Sequence, residues 1–204
     1  MNKVTLGCLG IIVLLILGTL VTGCSMYNGL VTKSQRVDGQ WAQVQNVYQR
    51  RADLVPNLVQ TVAGSANFEK STLEAVTNAR ASVGRVSIDA HNAPADAAKL
   101  QEFQQAQGQL SSALSRLLVV SENYPDIKSS QNFRDLQAQL EGTENRIAVE
   151  RNRFNEVTRD YNTAIHTFPA VLFAGMFGFH EKPFFAADQA AQTAPAVQFN
   201  FNNK

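Results

Sequence analysis

Few residues in this 204-residue sequence have the type and spacing that a reaction centre needs. The three histidines, His91, His166 and His180, lie far apart, and none has a second ligand at the spacing of a metal site. The sequence also contains no glycine-rich phosphate loop and no Gly-x-Ser-x-Gly nucleophile elbow. We therefore predict no catalytic residue, no metal and no cofactor.

Three carboxylates could imitate the paired acids of a general acid–base site, namely Glu141, Glu144 and Glu150. Arginines surround them in the run EGTENRIAVER, so ion pairing is the better explanation. Arg51 needs such a partner, because it stands in YQRRADLVPNLV at a position that apolar residues otherwise hold, and an unpaired buried charge is costly. We predict that Arg51 and the three glutamates form a buried polar layer that fixes the register of two helices.

Two neighbours of Arg51 predict a kink in its helix. Pro56 has no amide hydrogen, and Asp53, three residues earlier, is a good N-cap for a helix that restarts there. A binding cleft at this kink is one interpretation. A structural role, in which the kink and the polar layer together set register and bend, is the interpretation that we favour.

The elements that must position these side chains are helices. Apolar and aromatic residues recur every seven positions over residues 27–62 and again over residues 133–168, each with a second apolar position three residues later. Two further helical runs cover residues 73–83 and 100–117, and no stretch has the alternation of a strand. The pattern predicts an all-α fold, an elongated antiparallel four-helix up-and-down bundle in which the first and last helices are neighbours.

An apolar segment precedes the predicted bundle, since no charged residue occurs from position 4 to position 32. Its length allows a retained membrane helix. The run Val21-Thr22-Gly23-Cys24 instead resembles the lipobox of bacterial lipoproteins, in which the cysteine is acylated and becomes the new N-terminus. Residues 1–24 are therefore expected to be a membrane helix or a lipoprotein signal with Cys24 as the lipid attachment site. Both interpretations place a membrane at the N-terminus.

Phenylalanine is concentrated behind the bundle, which we assign to residues 25–168. Eight of the twelve phenylalanines lie between positions 168 and 201, and residues 169–204 form a Phe-rich tail. These rings must be covered, either by folding back over the end of the bundle or by contact with the membrane interface or a second copy. The antiparallel topology places the tail on the membrane side, beside Tyr27. The candidate interaction residues are Phe168, Phe173, Phe177, Phe179, Phe184 and Phe185.

The same residues carry a family resemblance. The matching blocks are the apolar N-terminus followed by YNGLV, then RRADLVPNLVQTV, FEKSTLEAVTNAR, and the long run from SENYPDIK to VTRDYN. Nearly the whole chain after the membrane segment resembles the LemA family of bacterial membrane-anchored proteins. The resemblance implies a four-helix bundle on an N-terminal membrane helix, and it implies no catalytic residues, since none is established for the family. The lipobox-like run departs from the retained helix that is usual there.

These features favour a protein without enzymatic activity. A formal net charge of +1 argues against nucleic acid as a partner. We expect a membrane-anchored helical scaffold of the bacterial cell envelope that forms homo-oligomers or binds other envelope proteins, with its bundle on the periplasmic side. The alternative is an accessory subunit that regulates a neighbouring membrane enzyme such as a protease.

Overall fold

Helices account for nearly all of the regular structure. The computed structural model describes residues 3–64, 68–86 and 92–186. The α-helices are α1 (Lys3–Ala63), α2 (Lys70–Arg85), α3 (Ala97–Ser121), α4 (Pro125–Ser129) and α5 (Gln131–His166), followed by short 3₁₀ turns at Ala170–Leu172 and Gly175–Phe177. No strand occurs in these three ranges. The predicted all-α fold with four long helices is confirmed, and α4 is a single added turn that Pro125 begins.

The heptad positions of α1 and α5 form the long axis of the core. Both helices bury one stripe: Leu30, Val37, Trp41, Val44, Tyr48, Val55, Leu58 and Val62 on α1, and Phe133, Leu140, Ile147, Phe154 and Tyr161 on α5. The helices run antiparallel, because Gln40 meets Glu150 whereas Arg51, farther along α1, meets the earlier Glu144. The two long heptad patterns of the sequence therefore face each other, as the topology requires.

The apolar core consists of two clusters. One surrounds Trp41, whose ring lies 5.5 Å from that of Phe103 and 5.7 Å from that of Phe154. The other lies at the end of the bundle farther from Tyr27, where α2, α3 and the last turns of α1 meet around Val62 and Leu114. Arg51 lies between the clusters, since its heptad neighbours on α1 belong to one cluster on one side and to the other on the opposite side.

The predicted restart of the first helix at Pro56 is wrong, because α1 continues through the proline. Asp53 does not act as an N-cap; its carboxylate accepts a hydrogen bond of 2.8 Å from Gln49 Nε2, one turn earlier. Proline leaves the carbonyl four residues before it without an amide donor, and here that carbonyl belongs to Ala52. Arg80 Nε, on α2, donates to it at 3.0 Å. A side chain of the neighbouring helix thus replaces the missing backbone donor.

This replacement predicts that the effects of changing Arg80 and Pro56 are coupled. Arg80→Ala should lower the free energy of unfolding by about 1 kcal/mol, because the Ala52 carbonyl loses its protein donor. Pro56→Ala returns a backbone amide to that carbonyl, so Arg80→Ala should cost much less in the Pro56→Ala background. A double-mutant cycle, measured by denaturation of the full chain in detergent, gives the coupling free energy.

Arg85→Ala is the matched control for this cycle. Arg85 also lies on α2, but its guanidinium donates to Ser82 of the same helix and makes no contact of this kind with α1. Its substitution should therefore have the same effect with Pro56 or Ala at position 56. Equal costs of Arg80→Ala in the two backgrounds would show that Arg80 does not compensate for the proline.

Candidate functional site

Titratable side chains are dispersed rather than gathered into a reaction centre. No group of three or more His, Cys, Asp or Glu side chains in the described ranges is placed to hold a metal ion. His166 lies 3.9 Å from Glu181, and both side chains are well exposed. His180 is also exposed, while His91 lies outside the described residues. The two features that organise the chain are a buried arginine and the segment that follows α5.

Arg51 connects three helices from inside the core. Its side chain is 2% exposed. Nη1 donates to Glu144 Oε1 on α5 and to Ser111 Oγ on α3, each at 2.7 Å. Nη2 donates to the side-chain oxygen of Gln107 and, at 3.3 Å, to the Gln107 carbonyl oxygen. The guanidinium carbon also lies 5.1 Å from the centre of the Tyr48 ring. One charge on α1 thereby bonds to both α3 and α5 at one height along the bundle.

The three glutamates proposed as partners of Arg51 lie in different places. Glu144 forms the ion pair, and its side chain is 41% exposed. Glu141 is exposed and accepts a hydrogen bond of 3.2 Å from Gln137, so it lies outside the layer. Glu150 accepts at 2.6 Å from Gln40 on α1 and pairs with Arg153. Glu150 therefore joins α1 to α5 at a second height, not in the Arg51 layer.

Sequence reasoning missed the two α3 residues of the layer, Gln107 and Ser111. A signal for Gln107 was present, because the buried residues of α3 alternate at spacings of three and four and Gln107 falls in that series between Phe103 and Leu110. A polar residue in an apolar heptad series indicates a buried polar contact. Ser111 lies one turn beyond Gln107 and gives no comparable signal.

Arg51→Ala should lower the free energy of unfolding by about 3–5 kcal/mol. Glu144 is partly exposed and can be hydrated again, so most of the cost comes from Gln107, which loses a buried donor, and from the cavity that the side chain leaves. Arg51→Met fills the space but gives Gln107 no donor, so it should recover only the part of the cost that comes from the cavity. Thermal melting of the full chain, followed by circular dichroism, measures both effects. Arg50→Ala, at an exposed neighbouring position, should leave the melting temperature unchanged, and an equally unchanged value for Arg51→Ala would contradict the layer.

The segment after α5 folds back along the bundle. We call residues 179–186 the strap; it begins just after Gly178, whose positive φ of 77° allows the chain to reverse. Two asparagines of α5 hold its backbone. Asn162 donates to the Lys182 carbonyl at 2.8 Å and accepts from the Lys182 amide at 3.0 Å. Asn155, seven residues earlier, makes the same pair of bonds with Phe185, at 3.1 and 2.9 Å.

Side chains of the strap complete its attachment. Lys182 Nζ lies 2.7 Å from Asp38 Oδ1 on α1, and both side chains are 12% exposed. Phe185 is buried and stacks 6.0 Å from Trp41. Phe185 was predicted to be an interaction residue and is instead part of the core, because the strap carries it into the groove between α1 and α5. The strap therefore corresponds to the folding-back interpretation of the tail.

The Tyr161 phenol secures the beginning of the strap by donating to the His180 carbonyl at 3.0 Å. Burial, and then the charge of the nearby Asp38 carboxylate, raise the pKa of the Tyr161 phenol above its ordinary value. The phenol is therefore protonated at neutral pH and available as a donor.

The other described phenylalanines from position 168 onward lie on or near the surface. Phe168, Phe173, Phe177 and Phe184 are exposed, and Phe179 is half-buried. The Tyr27 ring of α1 lies 5.4 Å from that of Phe177 and 5.6 Å from that of Phe179. We call the exposed apolar side chains of residues 168–177 the end patch: Phe168, Val171, Leu172, Phe173, Met176 and Phe177. Residues 187–204, the rest of the predicted tail, lie outside the described residues.

The apolar start of α1 continues outward from the end patch. α1 is long and apolar enough to cross a membrane, and none of its apolar window is buried. Cys24 lies on this part of the helix, three residues before Tyr27, as an exposed free thiol. An acyl chain on Cys24 would therefore join the chain at the level where α1 leaves the bundle.

The two asparagine contacts predict that the strap can be released by changing one atom at each. Asn155→Asp and Asn162→Asp replace the amide donors by carboxylate oxygens, which repel the strap carbonyls that those donors bind. In the double variant, hydrogen exchange at the Lys182 and Phe185 amides should be much faster, while the amides of α5 stay protected. Asn152→Asp is the control, because Asn152 is exposed on the same helix. Unchanged protection of the two strap amides would show that the asparagines do not hold the strap.

Comparison with known proteins assigns the chain to a family. The model of the LemA family matches residues 40–199. The chain is 28% identical over 200 residues to magnetosome protein MamQ from Magnetospirillum gryphiswaldense, a match that covers 86% of this chain and 72% of MamQ. It is 27% identical to magnetosome protein MamQ 1 from Paramagnetospirillum magneticum, covering 89% and 72%. It is also 22% identical over 141 residues to protein LemA from Metamycoplasma hominis, covering 69% and 60%. Because the family model matches most of the sequence, this chain belongs to the LemA family, as the resemblance of its sequence blocks predicted.

Proposed function

We propose that this protein is a membrane-anchored, non-enzymatic scaffold that associates with copies of itself or with other envelope proteins. The observation that carries the proposal is the continuity of α1. One helix, from Lys3 to Ala63, contains both the apolar segment and a buried stripe of the bundle. The bundle is therefore joined to its anchor by helical backbone and not by a flexible linker.

The length of the bundle and the contacts between its helices are suited to holding a partner away from the membrane surface. The part of α1 beyond Tyr27 has 36 residues, which corresponds to about 54 Å at a rise of about 1.5 Å per residue. The Arg51 layer opposes sliding of α3 and α5 along α1, and the strap bonds to both α1 and α5. A rod of this kind can hold a partner at a fixed distance from a membrane.

The outer surface has the composition of a protein-binding or solvated surface. Asparagine and glutamine are almost as numerous as all charged residues together. Val119 on α3 and Val149 on α5 are large apolar side chains that are exposed on the bundle. Two of the relatives carry the name magnetosome protein, and a scaffold role for this chain is compatible with that name.

Photo-cross-linking in the native membrane tests the proposal. A photoreactive amino acid at Val119 or Val149 should give discrete adducts at multiples of the 22.4 kDa chain, and the purified protein should have one high mass. The control position is Val44, which is fully buried and should give no adduct between chains. A foreign protein captured in fixed ratio would support the accessory subunit instead. A monomeric mass with no adduct at either exposed position would contradict both functions.

We further propose that the bundle lies on the periplasmic side of the membrane, which the lipobox-like run before Cys24 supports. The intact mass of protein recovered from membranes tests this placement. A mass that lacks the first 23 residues and includes acyl chains would support this placement, because lipoprotein processing occurs outside the cytoplasm, and acylated Cys24 would then replace the apolar start of α1 as the anchor. A full-length, unmodified mass would remove the support that Cys24 gives.

A further inference from the structure

The exposed apolar side chains of the bundle are concentrated at one end. In the described part of the chain beyond the apolar start of α1, most of the large apolar side chains that are exposed belong to the end patch or to Tyr27 beside it. Met176 is 81% exposed, Phe168 76% and Leu172 60%. Monomeric soluble proteins rarely expose apolar side chains so close together, so another apolar phase must cover them.

The segment that carries the end patch is folded, with regular backbone hydrogen bonds. Its backbone is hydrogen-bonded, with the Ala174 amide 2.8 Å from the Ala170 carbonyl and the Phe179 amide 3.0 Å from the Ala174 carbonyl. Ala170 and Ala174 are buried against the bundle, whereas the large side chains between and beyond them point outward. A segment that folded to cover itself would bury its phenylalanines and expose its alanines, and this one does the reverse.

The position of the end patch indicates what covers it. The Tyr27 ring contacts Phe177 and Phe179, and α1 continues from Tyr27 directly into its exposed apolar stretch. The patch and the start of this stretch therefore lie at one level. His166, the last residue of α5, precedes the patch by two residues and lies 3.9 Å from Glu181 of the strap, so a polar pair adjoins the patch along the chain. An apolar surface with aromatic rings and a polar border, beside a membrane helix, has the chemistry of the lipid interface.

We propose that the end patch inserts into the interface of the same membrane that holds α1. Residues 168–177 are then a second attachment, in which phenylalanine, leucine and methionine side chains enter the level of the lipid headgroups and upper acyl chains. A second copy is the less favoured occupant, because it would have to cover a surface that is continuous with the apolar stretch of α1. The inference depends on membrane association and not on self-association, so the scaffold proposal and this one can fail separately.

Fluorescence quenching by lipids tests the insertion in the full-length protein. Met176→Trp places an indole in the end patch, and vesicles of phosphatidylcholine brominated at defined acyl positions report its depth. The native Trp41 is fully buried, and the unsubstituted protein gives its signal for subtraction. We expect at least a twofold loss of emission from the introduced indole with bromine in the upper acyl chain, and a smaller loss with bromine near the chain end.

A matched control uses the opposite end of the bundle. Val119 is 70% exposed and lies near the end of α3. Tyr124 follows five residues later, and its ring lies 4.9 Å from that of Phe68, which comes after the end of α1. Val119 is therefore at the end of the bundle opposite to the end patch. Val119→Trp should show no lipid quenching beyond that of the unsubstituted protein. Leu172→Trp provides a second probe of the end patch if Met176→Trp disturbs the fold, which circular dichroism checks.

Two results would overturn the proposal. If brominated lipids leave the emission of the indoles introduced at positions 176 and 172 unchanged and aqueous acrylamide quenches it, the end patch lies in water. Emission that neither reagent quenches would mean that protein, such as a second copy, covers the patch. The mass of the complex is measured separately and tests the scaffold proposal whichever result is obtained.

Discussion

The structure depends on the need of one buried guanidinium for oxygen atoms on two other helices. Arg51 is almost inaccessible to water, and a charge in that position is costly unless protein atoms accept hydrogen bonds from it, as they do here from Nη1 and Nη2 but not from Nε. Gln107 and Ser111 on α3 and Glu144 on α5 provide those oxygens. The apolar clusters on either side contribute more to stability by burial, but apolar contacts alone tolerate shifts of one heptad. The hydrogen bonds of Arg51 fit one alignment of the three helices, and we propose that this requirement fixes their register.

Several other contacts become possible only in that alignment. With α5 fixed against α1, Glu150 meets Gln40, and the groove between the helices accepts Phe185 beside Trp41. Asn155 and Asn162 then present their amides one heptad apart along the same groove, where the strap backbone binds. The end of α5 also comes to lie beside Tyr27, which brings residues 168–177 to the level at which α1 leaves the bundle. The contacts near Tyr27 and the Arg51 contacts in the middle of the bundle thus belong to the same alignment of α1 and α5.

The sequence predicted the helices and the pairing of α1 with α5, because both helices carry a long heptad pattern of apolar residues. The two facing heptad patterns predicted that Arg51 would meet glutamates of the last helix, and Glu144 is its partner. The same reasoning could not choose between Glu141 and Glu144, because both lie near the edge of the buried stripe. It placed a helix end at Pro56 because propensity is local, whereas the donor that allows the helix to continue comes from Arg80 on another helix. The attachment of the strap could not be predicted from the sequence. Periodicity gives no information about an extended segment, and the asparagines that bind the strap resemble solvent-exposed amides in the sequence.

The continuity of α1 also has an angular consequence. In an α-helix each residue turns the chain by about 100° and advances it by about 1.5 Å. Because no flexible joint separates the apolar segment from the buried stripe, adding or removing one residue before Tyr27 would rotate the entire bundle about the helix axis and change its height only slightly. The number of residues between the apolar segment and the bundle therefore fixes which face of the bundle lies above each face of the membrane helix.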